Sequence, residues 1–141
     1  MEHLDAGKLK QLPFFKDLLP DEWSQVYPLL DRIRAIEGEQ LIREGDRARS
    51  LFIILRGHFM IHYKDGRAIT LNQKGDIIGW SSVISPFQYT ANVTALTDGD
   101  VLCIQSDRFV ELIQGNTALG TKLIKKINEF INTRPRIGLL R

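Results

Sequence analysis

The sequence predicts a mainly β domain with flanking helices, folded as a double-sheet jelly roll, and three observations carry that prediction. Between Ile33 and Gln105 eight short runs rich in β-branched and aromatic residues follow one another closely; turns rich in glycine and charge separate them; and on either side apolar residues recur at helical spacing. At 141 residues the chain fits one domain able to bury most of an apolar core without disulfides. It divides into N-terminal helices (1–32), a roll (33–105) and C-terminal helices (106–141).

The first thirty residues read as two short helices. Leu9, Leu12 and Pro13-Phe14-Phe15 form one amphipathic end, and Pro20-Asp21-Glu22 supplies a first-turn proline and acids that favour the positive helix start. Trp23, Val26, Tyr27 and Leu30 follow at helical spacing. The expected strands are Ile33–Ile36, Gln40–Arg43, Leu51–Arg56, His58–Tyr63, Arg67–Asn72, Asp76–Ile78, Thr90–Leu96 and Val101–Gln105. Between them Gly38, Gly45, Gly57, Gly66, Gly75 and Gly99 fall where tight turns call for a positive φ. Ser106 is expected to cap a helix carrying Phe109, Val110, Leu112 and Ile113 and ending near Gly115. A second helix begins after Asn116. Its apolar stripe of Leu119, Leu123, Ile124, Ile127, Phe130 and Ile131 lies opposite Lys122, Lys125, Lys126 and Glu129, and needs either the roll or the same helix of a second chain as partner.

Composition narrows the function. Hydrophobic residues make up 43% and charged residues 26% of the chain, and no stretch approaches the roughly 20 apolar residues of a membrane span. The polar N-terminus lacks a signal-peptide core, and the lone Cys103 has no internal partner, so a cytoplasmic location is expected. Net charge is +2, unevenly spread: the segment from Lys122 to Arg141 carries +5 and the remainder −3. Such a tail could touch phosphates or an acidic partner, or form a solvated helix face.

The motifs come in a recognisable order. Gly38-Glu39-Gln40-Leu41-Ile42-Arg43-Glu44-Gly45-Asp46 followed by Leu51-Phe52-Ile53-Ile54-Leu55-Arg56-Gly57 resembles the opening strands of the cyclic nucleotide-binding domain of the catabolite activator protein and FNR-like superfamily. Lys74-Gly75-Asp76-Ile77-Ile78-Gly79 is similar to the entry of that family's phosphate-binding cassette, here within 75–91, and Thr90-Ala91-Asn92-Val93-Thr94-Ala95 is similar to its exit. The resemblance runs from about Leu9 to Ile131 and implies a double-stranded β-helix that senses a ligand. In the family, backbone amides of the cassette and an arginine meet the cyclic phosphate and a glutamate meets the ribose hydroxyl. Matching both ends of the cassette places Trp80 at the glutamate's position and Tyr89 at the arginine's.

That departure weighs on function. Stripping one partner from a buried charge pair costs about 3–5 kcal/mol, roughly a hundredfold or more in affinity. Cyclic AMP or cyclic GMP bound in the usual way is therefore not expected. The candidate ligand-binding set is Ile61, Gly79, Trp80, Ser81, Ser82, Tyr89, Thr90 and Ala91, where amides, hydroxyls and ring faces suit a smaller or less charged, nucleotide-like or other small molecule. The Ile84 to Phe87 stretch is the expected hinge. The alternative is a ligand-free module, with Trp80 and Tyr89 filling the pocket and the domain serving dimerisation or protein interaction. Homodimerisation is expected through Leu119, Leu123, Ile127, Phe130 and Ile131 of the last helix.

Other chemistries find less support. His58 and His62 share a strand face, but four residues of strand separate their Cα atoms by about 13 Å, too far for one ion. Haem could draw on His3, His58, Met60, His62 or Cys103, yet no spacing selects any of them. Cys103 sits in the apolar run Val101-Leu102-Cys103-Ile104, where a buried, inert thiol is the default. No nucleophile elbow or converging Ser, His and acid set appears. The expectation is a non-enzyme with no metal and no cofactor. Only ten residues follow Ile131, interrupted by Pro135 and Gly138, so no helix-turn-helix and no direct DNA binding by this chain are expected.

Overall fold

The computed structural model describes residues 5–80 and 87–133. In chain order these form α1 (Ala6–Leu9), α2 (Pro20–Val26), a 3-10 turn (Tyr27–Leu29), β1 (Asp31–Ala35), β2 (Gln40–Ile42), β3 (Ser50–Arg56), β4 (Phe59–His62), β5 (Ala68–Leu71), β6 (Ile77–Ile78), β7 (Asn92–Ala95), β8 (Gly99–Gln105), α3 (Ser106–Gly115) and α4 (Thr117–Thr133). Each of the eight expected strands forms, with ends within two residues of the expected ones. The first helix is shorter than expected. It is one turn, capped by Asp5, whose Oδ1 accepts from Lys8 N at 3.1 Å, and turns replace it before Pro13.

The strands build two antiparallel four-stranded sheets, ordered β1-β8-β3-β6 and β2-β7-β4-β5. In the first, Phe52 pairs with Cys103 and Ile53 with Leu102; in the second, Phe59 pairs with Ala95 and Ile61 with Val93. The run Leu51-Phe52-Ile53-Ile54 is apolar at every position because β3 is buried on both faces. Phe52 and Ile54 join Val101 and Cys103 against Ile42, Phe59, Ile61 and Val93 inside the roll. Leu51 and Ile53 join Leu102 and Ile104 on the outer side, where the helices pack.

The helical layer completes that second cluster. Leu9, Leu12, Phe14, Phe15 and Leu18 from the N-terminal segment meet Phe109 of α3 and Leu119, Leu123 and Ile127 of α4. The last three are essentially inaccessible, so the inner part of the α4 stripe has its partner within the chain itself. Phe130 and Ile131 are partly buried beside it. Two ion pairs fasten the same elements: Lys122 Nζ lies 2.6 Å from Glu22 Oε1, and Lys126 Nζ 2.7 Å from Asp17 Oδ2. Glu22 also accepts from Leu19 N at 2.8 Å, closing the start of α2.

Two helix boundaries differ in their chemistry. Asn116 caps α4, its Oδ1 accepting from Leu119 N at 3.1 Å. Ser106, expected as a cap, is instead the first residue of α3. Its hydroxyl donates to Ala48 O at 3.2 Å and its N–H to Arg49 O at 2.8 Å, so the residue is tied to the loop before β3 and the helix starts one position early. Gly120 allows α3 and α4 to touch: a Cβ there would lie 2.7 Å from Ile113 O.

Candidate functional site

The site forms where β6 ends. Gly79 takes φ +81°, and a Cβ on it would stand 2.9 Å from Ser50 O and 3.5 Å from Tyr89 Cε1, so only glycine lets the chain pass β3 this closely. Trp80 follows immediately, half-buried, and its indole meets Phe130 of α4 edge-on with ring centroids 6.3 Å apart.

Tyr89 approaches from the other end of the cassette. Its N–H donates to Asp46 O at 3.0 Å and its carbonyl accepts from Gly45 N at 2.9 Å, which fixes the backbone. Its hydroxyl donates to Ser50 O at 2.7 Å and accepts from Ser50 N at 3.1 Å. Burial pushes this phenol's pKa up, against the lowering effect of its backbone hydrogen bonds. Both polar roles of the hydroxyl thus go to one residue of β3.

A cavity of about 30 Å³ lies between these groups, the room of about two waters. Ile42, Ile61 and Val93 line it from the second sheet, and Tyr63, Gly79, Trp80, Tyr89, Thr90 and Ala91 complete the described wall. No charged side chain is among these described lining residues. Of the eight residues expected at the site, Ile61, Gly79, Trp80, Tyr89, Thr90 and Ala91 are brought together here; Ser81 and Ser82 lie outside the described residues. Of the expected hinge, Ile84 to Pro86 lie outside as well, and Phe87 is exposed with φ +62°.

Three lining residues escaped the sequence analysis: Ile42, Tyr63 and Val93. Tyr63 carried a usable signal, since strand alternation places it on the same face as Ile61. Ser50 carried none, because its contribution is backbone. Phe130, expected in the dimer stripe of the last helix, touches the pocket wall through Trp80.

The remaining candidates lie elsewhere. His58 is exposed and His62 partly exposed, on the strand face opposite Phe59 and Ile61. Among the described residues no group of three or more His, Cys, Asp or Glu is placed to hold a metal ion. Cys103 is buried inside the roll, and burial raises its thiol pKa. No described helix is long and apolar enough to cross a membrane.

The family model of the cyclic nucleotide-binding domain matches residues 33–116. The chain belongs to the cyclic nucleotide-binding domain family. This domain is 29% identical over 105 residues to a cGMP-dependent protein kinase of Drosophila melanogaster, an alignment covering 71% of the chain and 11% of the kinase. It therefore spans about a tenth of that relative's length. Among solved structures it is similar to a putative cyclic nucleotide-binding protein from Geobacter metallireducens, with a TM-score of 0.86, 23% identity, and coverage of 94% of this chain and 98% of that one. It is also similar to the regulatory subunit of a cAMP-independent protein kinase A from Trypanosoma brucei, with a TM-score of 0.71, 22% identity, and coverage of 90% and 45%. The domain thus has the two-sheet roll with flanking helices of its family.

Proposed function

We propose that this domain is a non-catalytic regulatory module whose pocket does not take cyclic AMP or cyclic GMP in the family's manner, and whose state is passed to α4 by the contact between Trp80 and Phe130. One observation carries the first half: the walls described around the cavity bear no charge, while the hydroxyl at the position matched to the family's arginine is bound to Ser50. An anionic phosphate moved into such a place loses hydration without gaining a cation. The size supports the same conclusion, since room for about two waters is far below that needed by a nucleotide. The fold serves proteins described as cGMP-dependent and as cAMP-independent, so a regulatory role does not require the usual ligand.

The second half rests on adjacency. Trp80 both lines the cavity and packs on Phe130, so a shift of the indole alters the last turns of α4. A small molecule biases that helix only through its differential affinity for the two arrangements. Hydrogen exchange tests the coupling. In Trp80→Ala the amides around Phe130 should exchange faster while those of β3 and β8 keep their protection; unchanged exchange along α4 would refute the link.

Pairing with a second copy belongs to the same proposal, through the side of α4 that its own core leaves open. Leu119, Leu123 and Ile127 are covered within the chain and Phe130 faces Trp80, so the partner would instead meet the outward groove of about 700 Å³ around Ile113, Thr117, Thr121, Ile124 and Asn128. Light scattering across dilution tests this, and a strict monomer at high micromolar concentration would refute it. No base-reading element is assigned to the described chain.

A further inference from the structure

Three of the nine described residues around the cavity are aromatic: Tyr63, Trp80 and Tyr89. They stand on different elements, just after β4, just after β6 and just before β7, and the fold alone brings them together. An aromatic side chain presents a ring face with negative electrostatic potential, strongest for indole, and several such rings around one space attract a desolvated cation. The wall that in the family is built for an anion is here built of groups that favour the opposite charge.

Two further features point the same way. Asp46 is hydrogen-bonded to Tyr89 through its own carbonyl, and its carboxylate is near enough to act electrostatically on the Tyr89 hydroxyl. Arg67 lies over the Tyr63 ring at 5.4 Å, and its Nε is 2.6 Å from Asp65 Oδ2. One of the three rings therefore already serves as a platform for a cation whose charge is balanced locally.

From this we infer that the cavity is a site for a compact alkylammonium cation, held by the Tyr63, Trp80 and Tyr89 rings rather than by ion pairs. The inference rests on the proposal that cyclic mononucleotides are not the ligand, and it adds a ligand class to it. Size sets the limit on that class. The enclosed space holds about two waters, so one or two methyl groups of an ammonium head would enter it while the rest of the head sits in the mouth against the rings, and a nucleobase with its sugar would not fit.

The experiment is a calorimetric titration of the full chain with tetramethylammonium, with choline, and with 3,3-dimethylbutan-1-ol, the uncharged isostere of choline, at one ionic strength. Cyclic AMP is run alongside. Tetramethylammonium and choline should bind saturably at millimolar or lower concentration, and the neutral isostere about tenfold more weakly, because a charge over desolvated rings is the sole difference between them. Trp80→Leu should lose about tenfold in choline affinity; Trp80→Phe, which keeps a ring beside Phe130, should lose only a few-fold and guards against misreading a folding defect. Equal binding of choline and its isostere, or no binding of either cation by the folded chain, overturns the inference. Saturable micromolar binding of cyclic AMP overturns the proposal beneath it, so the two failures are distinct.

Discussion

Replacing Tyr89 with phenylalanine removes one oxygen and keeps the ring, and so isolates the contact that ties the cassette to β3. The lost hydroxyl donates to Ser50 O at 2.7 Å and accepts from Ser50 N at 3.1 Å. Each such bond contributes about 1 kcal/mol net, and the two backbone groups left behind regain only what water in the adjacent cavity supplies, so Tyr89→Phe should destabilise the domain by about 2 kcal/mol. With a urea slope of about 2 kcal/mol per molar, the unfolding midpoint should fall by about 1 M. A chain of this size should also lose about 6 °C in Tm. The assay is urea unfolding followed by tryptophan fluorescence. Tyr63→Phe serves as reference, expected within about 0.5 kcal/mol of the natural chain, since its hydroxyl makes no hydrogen bond among the described residues. If Tyr89→Phe matched that reference, Tyr89 would be a ring that fills space, and the reasoning that its hydroxyl is committed to Ser50 would fail.

Other consequences follow from the packing. Gly120→Ala exchanges glycine for the best helix former, which alone would add about 1 kcal/mol, yet the new Cβ would meet Ile113 O at 2.7 Å; a net loss of stability in thermal unfolding is expected. The hydrogen bond from Lys122 holds Glu22 below its ordinary pKa of 4.5, as does the one from Leu19 N. A depressed carboxylate stabilises the fold above its unfolded pKa and ceases to as pH drops through its folded value. Urea midpoints should therefore decline as pH falls below about 4.5, and Glu22→Gln should flatten that decline while lowering stability at neutral pH. The Cys103 thiol, buried and raised in pKa, should react with a thiol reagent at pH 8 only as fast as the domain opens, and promptly in denaturant.

What the sequence made legible was the part governed by local pattern. Alternation and turn glycines gave the strands and helical spacing gave α4: Gly38, Gly45, Gly57, Gly66 and Gly75 take the expected positive φ, whereas Gly99 does not and opens β8, where a Cβ would run into Arg56 O. The motif order gave the family, and the departures at Trp80 and Tyr89 pointed to the cavity they border. What stayed hidden depends on contacts between distant segments. Strand parity left Tyr63 open to discovery, but nothing local marks Ser50 as the partner of a hydroxyl 39 positions away. The apolar stripe of α4 announced a partner without saying which; the N-terminal segment provides it for Leu119, Leu123 and Ile127. Ser106 had the composition of a cap and the neighbours of a loop anchor, and the neighbours prevailed.

The chemistry of the pocket is best tested by isothermal titration of the purified natural chain with cyclic AMP and cyclic GMP at physiological salt. With no charge on the described wall and a space of about 30 Å³, neither should give saturable heat below about 1 mM. A dissociation constant in the low micromolar range for either nucleotide would show that the site opens and recognises phosphate by means other than the groups described, and would contradict the account.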